Sequence, residues 1–277
     1  MEGRTPGVQV FQSIGEPGAG MTVLIRGRNS IEGGNEPLYV VDGFPVNGNP
    51  TFLDKSDIKS IDVLKDASAT AIYGSRGANG VVLITTKDGQ EGQTRVTVDM
   101  SYSSQTLRKK LDLMGGSQYA QFINMEAAND GLAPYFTQAQ VDSFGKGFDW
   151  QNLVFTRAPM KSTDVNISGG NAKTRFSVSG SFLDQAGIVT GSNYKRYSLY
   201  SKINHTISRK FEVNLSTILT RLETARKDNG GGARGSTMIS AAISGAPISH
   251  PYNADGSIHD LAHQYPFVGT DIINPTY

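Results

Sequence analysis

The 277-residue sequence contains no cysteine, which excludes disulfide staples, thiolate metal sites and cysteine nucleophiles. It also lacks any apolar run near the ~18 residues that a membrane-spanning helix needs; the longest informative runs, such as Val81 to Ile84, are strand-sized. A chain of this kind can meet a bilayer only through β-strands. Charge is scarce, 18% of residues, and 26 basic side chains nearly cancel 25 acidic ones to leave +1. No strong field is present to attract nucleic acid, so no nucleic-acid partner is expected. The opening MEGRTPGVQVFQS has no basic stretch followed by an apolar one, so no export signal is visible. No Gly-x-x-x-x-Gly-Lys-Ser/Thr loop occurs, and no nucleophile elbow or Ser-His-Asp spacing is found. The sequence offers no basis for an enzyme or for a cofactor.

Glycine, by contrast, is abundant: 32 residues, against an average near ~7%. Glycine supplies tight turns and close backbone approaches, which suits a β-rich chain. The first hundred residues read as a compact α+β unit. Val8 to Phe11, Met21 to Arg26, Leu38 to Val41 and Ile58 to Leu64 have strand patterns, and Asp42-Gly43 closes the third of them as a turn pair. Asp66 is placed to cap a short helix through Ala67 to Tyr73, with Gly74 ending it at a left-handed position. The glycine-rich loop Gly74 to Gly80 then feeds Val81 to Thr86, an apolar strand of the kind buried on both faces.

From Thr94 the pattern becomes two-residue alternation over longer segments. Val96, Val98, Met100 and Tyr102 face one way; Phe176, Val178, Gly180 and Phe182 alternate with Ser177, Ser179 and Ser181. Strands are expected near 94–103, 162–169, 174–184, 194–206 and 211–222, joined in turn by long, short, medium and short connections. Roughly ten-residue alternating segments with short turns on one side and long loops on the other are what a transmembrane β-barrel requires. A soluble β-sandwich shares the alternation and stays open as the rival. An amphipathic helix over Ser117 to Asn129 is expected on the long first connection, and the region from Thr224 onward shows no return strand.

Several motifs invite sharper readings. Gly74-x-x-Gly77-x-x-Gly80 follows a helix and enters a strand, the reverse of the nucleotide-binding order, and is read as a structural turn. His259 and His263 have i,i+4 spacing, but no third ligand is evident and they are read as outer-loop residues. Asn166, Asn204 and Asn214 begin glycosylation-like sequons inside strands and are read as lumen-facing or turn-adjacent polar residues. Asp54 and Asp57 are paired carboxylates with no pocket to serve.

PLYVVDGFPV (37–46), DIKSIDVLKDASATAIYGSRGANGVVLITTK (57–87), FDWQNLVF, VNISGG, FLDQAGI and YKRYS occur in the order seen in one family. From about Gly3 to Leu222 the chain resembles a SusC/RagA-type TonB-dependent transporter of the Bacteroidetes outer membrane. The resemblance implies an α+β plug domain, assigned to 1–93, followed by antiparallel strands of a transmembrane β-barrel over 94–277, lodged within a barrel of ~22 strands. It implies import of a large nutrient, oligosaccharide first and oligopeptide next. The implied partners are a SusD-like surface lipoprotein as lid, TonB, and outer-membrane lipid. It also marks Arg26, Arg28, Asp42, Gly43, Tyr73, Gly74, Arg76, Gly77, Asn79 and Gly80 as plug-signature and gating candidates. The charged residues Arg26, Arg28, Asp42, Lys65, Asp66 and Arg76 have two readings, ordinary hydrogen-bonded contacts or a plug-to-barrel ionic latch, and the plainer one is preferred.

No box that TonB would grip precedes Glu2 to Gly7, and the first plug residues and the small accessory domain that the resemblance implies before them are lacking, so Met1 is expected to be an artificial or mis-called start. About five strands cannot close a barrel, and open edges in hydrocarbon leave backbone groups unpaired at several kcal/mol each. The isolated chain is therefore expected to aggregate through its edge strands. The runner-up is a soluble extracellular β-sandwich serving as a binding or adhesin module.

Overall fold

The computed structural model describes residues 7–11, 16–25, 27, 34–65, 71–227, 237–262, 264–268 and 273–276. Arg26, Arg28, the expected cap Asp66 with the helix start through Thr70, and His263 lie outside the described residues. The chain divides into two compact units, one within Met1–Ser103, Pro159–Ala186 and Asn193–Thr224, the other within Ser104–Ala158, Gly187–Ser192 and Ala225–Tyr277.

The first unit begins with an antiparallel ribbon, β1 (Val8–Phe11) with β2 (Thr22–Ile25). Next comes a four-stranded sheet from β3 (Leu38–Val41), β4 (Phe44–Val46), β5 (Ile58–Leu64) and β6 (Val81–Thr86), ordered β4-β3-β6-β5. The parallel pair β3/β6 is central, with Tyr39 opposite Val82 and Val41 opposite Ile84. Parallel strands are normally covered on both faces, and all four residues of β3 are buried. Tyr39, Val41, Val82 and Ile84 pack with Val8, Val23 and Ile25 of the ribbon. Leu38, Val40 and Val81 form a second cluster on the other face, with Tyr73 packed against it.

The Asp42-Gly43 turn is a two-residue loop between Val41 and Phe44, and both of its residues have positive φ, 48° and 88°. That is the mirror-image turn whose twist matches a hairpin. After β5, residues Ala71–Gly77 form 3₁₀ turns broken at Gly74, where φ is 59° and ψ −147°. A shorter, tighter element thus stands where the end of an α-helix was expected.

The same unit then builds one antiparallel meander from β7 (Gly92–Gln105), β8 (Ala158–Gly170), β9 (Thr174–Ala186), β10 (Asn193–Ser208) and β11 (Phe211–Ala225). All five strands fall where alternation placed them. The faces settle what kind of sheet this is. On β9, Ser177 and Ser179 are 1% and 4% exposed, whereas Val98 and Met100 on β7 are 52% and 75% exposed. Small polar residues point inward and apolar ones outward, the inverse of a soluble sandwich, which must bury its apolar face. Among the described residues no second sheet covers that apolar face, so the β-sandwich reading falls.

The second unit carries α1 (Gly116–Asn129), α2 (Gln138–Phe144), α3 (Trp150–Val154) and α4 (Met238–Ser244). Only α1 was legible in advance. Trp150 anchors a cluster with Val154, Val189, Met238 and Leu261, and its indole N–H donates to Ala246 O at 2.9 Å. His259 is hydrogen-bonded through Nδ1 to Asn253 Oδ1.

Candidate gating seam between core and wall

Strand alternation turns every second residue of β10 toward the N-terminal sheets, and each such residue from 194 to 204 finds a partner there. Tyr194 lies against Gly18, whose φ of +74° and lack of Cβ make room for the ring. The Arg196 guanidinium pairs with Asp54 and donates to Thr51 O at 2.9 Å. Ser198 donates to Phe52 O at 3.3 Å, and the Tyr200 hydroxyl meets Thr86 Oγ1 at 2.6 Å. Lys202 Nζ lies 2.8 Å from Asp88 Oδ1 and 3.4 Å from Asp42 Oδ2. Asn204 is hydrogen-bonded to Asp88. The two cations stand six residues apart, about 20 Å along a strand.

The carboxylates that receive them are fixed locally. Asp54 caps the 3₁₀ turn Lys55–Asp57, accepting from Ser56 N at 2.8 Å, so one side chain closes the turn and binds Arg196. Asp42, held in its positive-φ turn, accepts from Thr86 N at 2.9 Å and from the Thr86 hydroxyl. This ties the β3/β4 hairpin to the end of β6 before Lys202 arrives. Other strands contribute less: Ser179 of β9 donates to Asp57, Ser56 donates to Asp164 of β8 at 3.4 Å, and Thr220 of β11 donates to Phe52 O at 3.3 Å. Ile218 supplies the apolar exception, packing on the cluster that includes Val41 and Leu53.

Burial pushes the Asp57 carboxyl above its ordinary range, partly countered by the Ser179 hydroxyl. Burial acts upward on Asp88 too, but Lys202, Asn204 and Lys59 together outweigh it and hold Asp88 below the usual carboxylate range.

Of the residues marked from the sequence, Asp42 reaches this seam. Gly43 completes its turn, and Gly80 has φ +91° with space for a Cβ blocked by Ile25. Tyr73, half-buried, packs against the Leu38, Val40 and Val81 cluster, Arg76 donates to Asn47 Oδ1 at 3.0 Å, and Asn79 donates to Gly34 O at 2.7 Å, all within the N-terminal region. Gly74 is an exposed kink and Gly77 is buried, its carbonyl accepting from Gly80 N at 2.9 Å. Asp54, Asp57, Asp88, Arg196 and Lys202 were not marked. The available signal was a pair of cations on the small-polar face of a barrel-type strand, where charge demands a partner.

A family model described as the TonB-dependent Receptor Plug Domain matches residues 1–81. Along 99% of its length the chain is 36% identical to TonB-dependent receptor P3 of Formosa agariphila, spanning 26% of that protein. Over 72% of its length it is 35% identical to TonB-dependent receptor SusC of Bacteroides thetaiotaomicron, spanning 20% of it. The chain is a SusC/RagA-like TonB-dependent receptor. A solved structure described as the RagAB peptide transporter aligns over 99% of this receptor chain and 34% of the other, with 28% identity and a TM-score of 0.79. The chain thus spans about a fifth to a third of these relatives. The N-terminal sheets are the plug, and the meander is barrel wall.

Proposed function

We propose that the full-length receptor imports a large nutrient across the outer membrane of a Gram-negative bacterium, residues 1–93 serving as the gating plug and 94–277 as the start of the barrel with its outer loops. The observation that carries this reading is the polar seam of a plug set against a wall whose other face is apolar. Opening an apolar seam in water costs about 25 cal/mol per Å² exposed. Hydrogen bonds and ion pairs instead exchange for water at near balance, so a polar seam can part and re-form. Asp42, with Gly43 shaping its turn, is a gating residue in this account; Tyr73, Gly74, Arg76, Gly77, Asn79 and Gly80 keep the plug rigid enough to transmit a pull.

TonB supplies that pull, and a SusD-like surface lipoprotein closes the outer mouth. The cargo is an oligosaccharide, with an oligopeptide as the second reading; the neighbours described as a peptide importer support the latter. No catalytic chemistry enters.

Uptake of a pool of short labelled oligosaccharides, and separately of short labelled peptides, tests the reading in cells with and without the receptor and with and without TonB. Accumulation that needs both supports it. Accumulation independent of TonB, or none from either pool, refutes it.

A further inference from the structure

The seam is lopsided. On β10 every inward position from Tyr194 to Asn204 engages the plug, and among the described residues the two wall cations that pair with plug carboxylates, Arg196 and Lys202, belong to this strand. The neighbouring strands β8 and β9 hold the plug by hydrogen bonds alone, Asp164 with Ser56, Ser179 with Asp57 and Gln185 with Gly18. Beyond those bonds the plug and wall separate around a cavity of about 1150 Å³, bounded by the connection 87–91 and by the inner faces of β7, β8 and β9 at Thr97, Asn166, Ser168 and Ser177, with Asn204 of β10 at its margin. Ile58 is the one apolar side chain among the described residues that line it. Ser168 and Gly169 precede the three-residue turn 171–173 between β8 and β9, so the cavity lies at the short-turn, periplasmic end of the wall.

We propose that this cavity is the exit vestibule for the cargo: polar, hydrogen-bonding oligomers leave between the plug and strands β7 to β9 while β10 keeps its hold on the plug. The proposal rests on the importer reading above and adds a side to it. Hydroxyl, amide and charged groups lining the cavity can replace water around an oligosaccharide or an oligopeptide alike. Widening it along β8 and β9 breaks hydrogen bonds only, whereas opening along β10 also breaks the ion pairs of Arg196 with Asp54 and of Lys202 with Asp42 and Asp88. Asp88 stays on Lys202, and beyond it Gly89 abuts the Phe176 backbone of β9, so the vestibule widens at residues 89–91.

The test uses the full-length receptor in its outer membrane and the two labelled pools. Ser168→Cys is modified in the folded receptor with a bulky thiosulfonate and later released by reductant, which separates blockage from misfolding. In a second receptor, Thr51→Cys with Ser198→Cys, side by side where β10 meets the plug, is bridged by a short bismaleimide. The proposal expects the adduct at position 168 to cut TonB-dependent uptake by roughly tenfold or more, reversibly, and the bridged receptor to keep uptake within about twofold. Uptake that ignores the adduct, or that stops when β10 is bridged, overturns it. Absence of TonB-dependent uptake in the unmodified receptor instead overturns the importer reading.

Discussion

Lys202 and Asp88 meet across the seam with Nζ 2.8 Å from Oδ1, and the same ammonium serves Asp42 at 3.4 Å. One wall cation therefore joins the end of β3 and the stretch after β6, two points that the parallel sheet has already brought side by side.

Lys202→Met removes that cation and leaves two acidic groups facing a largely buried seam. Breaking one side of a buried pair costs about 3 kcal/mol, and Lys59, 3.6 Å from Asp88, softens the loss. Amide hydrogen exchange of β6 in the full-length receptor is expected to accelerate by about two orders of magnitude relative to wild type. Adding Asp42→Asn and Asp88→Asn should recover most of the protection, because the uncompensated charges go with them.

Acid and base act on the seam in opposite senses. Asp88 ionises more easily in the fold than in the unfolded chain, where the value is near 3.9. Its contribution is present above that value and lost as pH falls through the lower folded one. Asp57 is raised, so its contribution is full below about 3.9 and declines as pH rises through its higher folded value. Calorimetry of the receptor at about pH 3 and about pH 7 checks both. Asp57→Asn should gain stability over wild type at the higher pH only, and Asp88→Asn should lose it at the higher pH only.

Two glycines with similar φ should respond differently to alanine. At Gly43 (φ +88°) the space for a Cβ is open, so Gly43→Ala carries only the left-handed penalty of about 1–2 kcal/mol. At Gly80 (φ +91°) the added methyl also lies 2.7 Å from Ile25 Cδ1. Gly80→Ala should therefore cost about 1 kcal/mol or more beyond Gly43→Ala, an overpacking term. Ile25→Val, which removes that Cδ1, should couple favourably with Gly80→Ala in a double-mutant cycle of plug stability.

Much of this architecture was readable because its physics is local. Period-two alternation located all five wall strands, and Asp42-Gly43 announced its turn because few other residue pairs tolerate positive φ twice in succession. The helices α2 and α4 went unread because they are seven residues long and depend on packing around Val141, Met238 and Ala242. Thr137 and Gln140 nonetheless form a capping box, a local signal of a helix start. The seam was the least legible part. Arg196 and Asp54 are 142 positions apart, and no local pattern pairs residues at that distance. Asp54 and Asp57 looked idle because their pocket is made by strands that arrive more than a hundred residues later.

The central claim is that the wall turns its apolar face to lipid and its polar face to the plug. Single fluorophores placed at Met100, Leu215, Thr97 and Ser179 of the full-length receptor in bilayers carrying a lipid-attached quencher test it directly. Strong quenching at 100 and 215 with little at 97 and 179 is the predicted result. Equal quenching at all four, or none at 100 and 215, would contradict it.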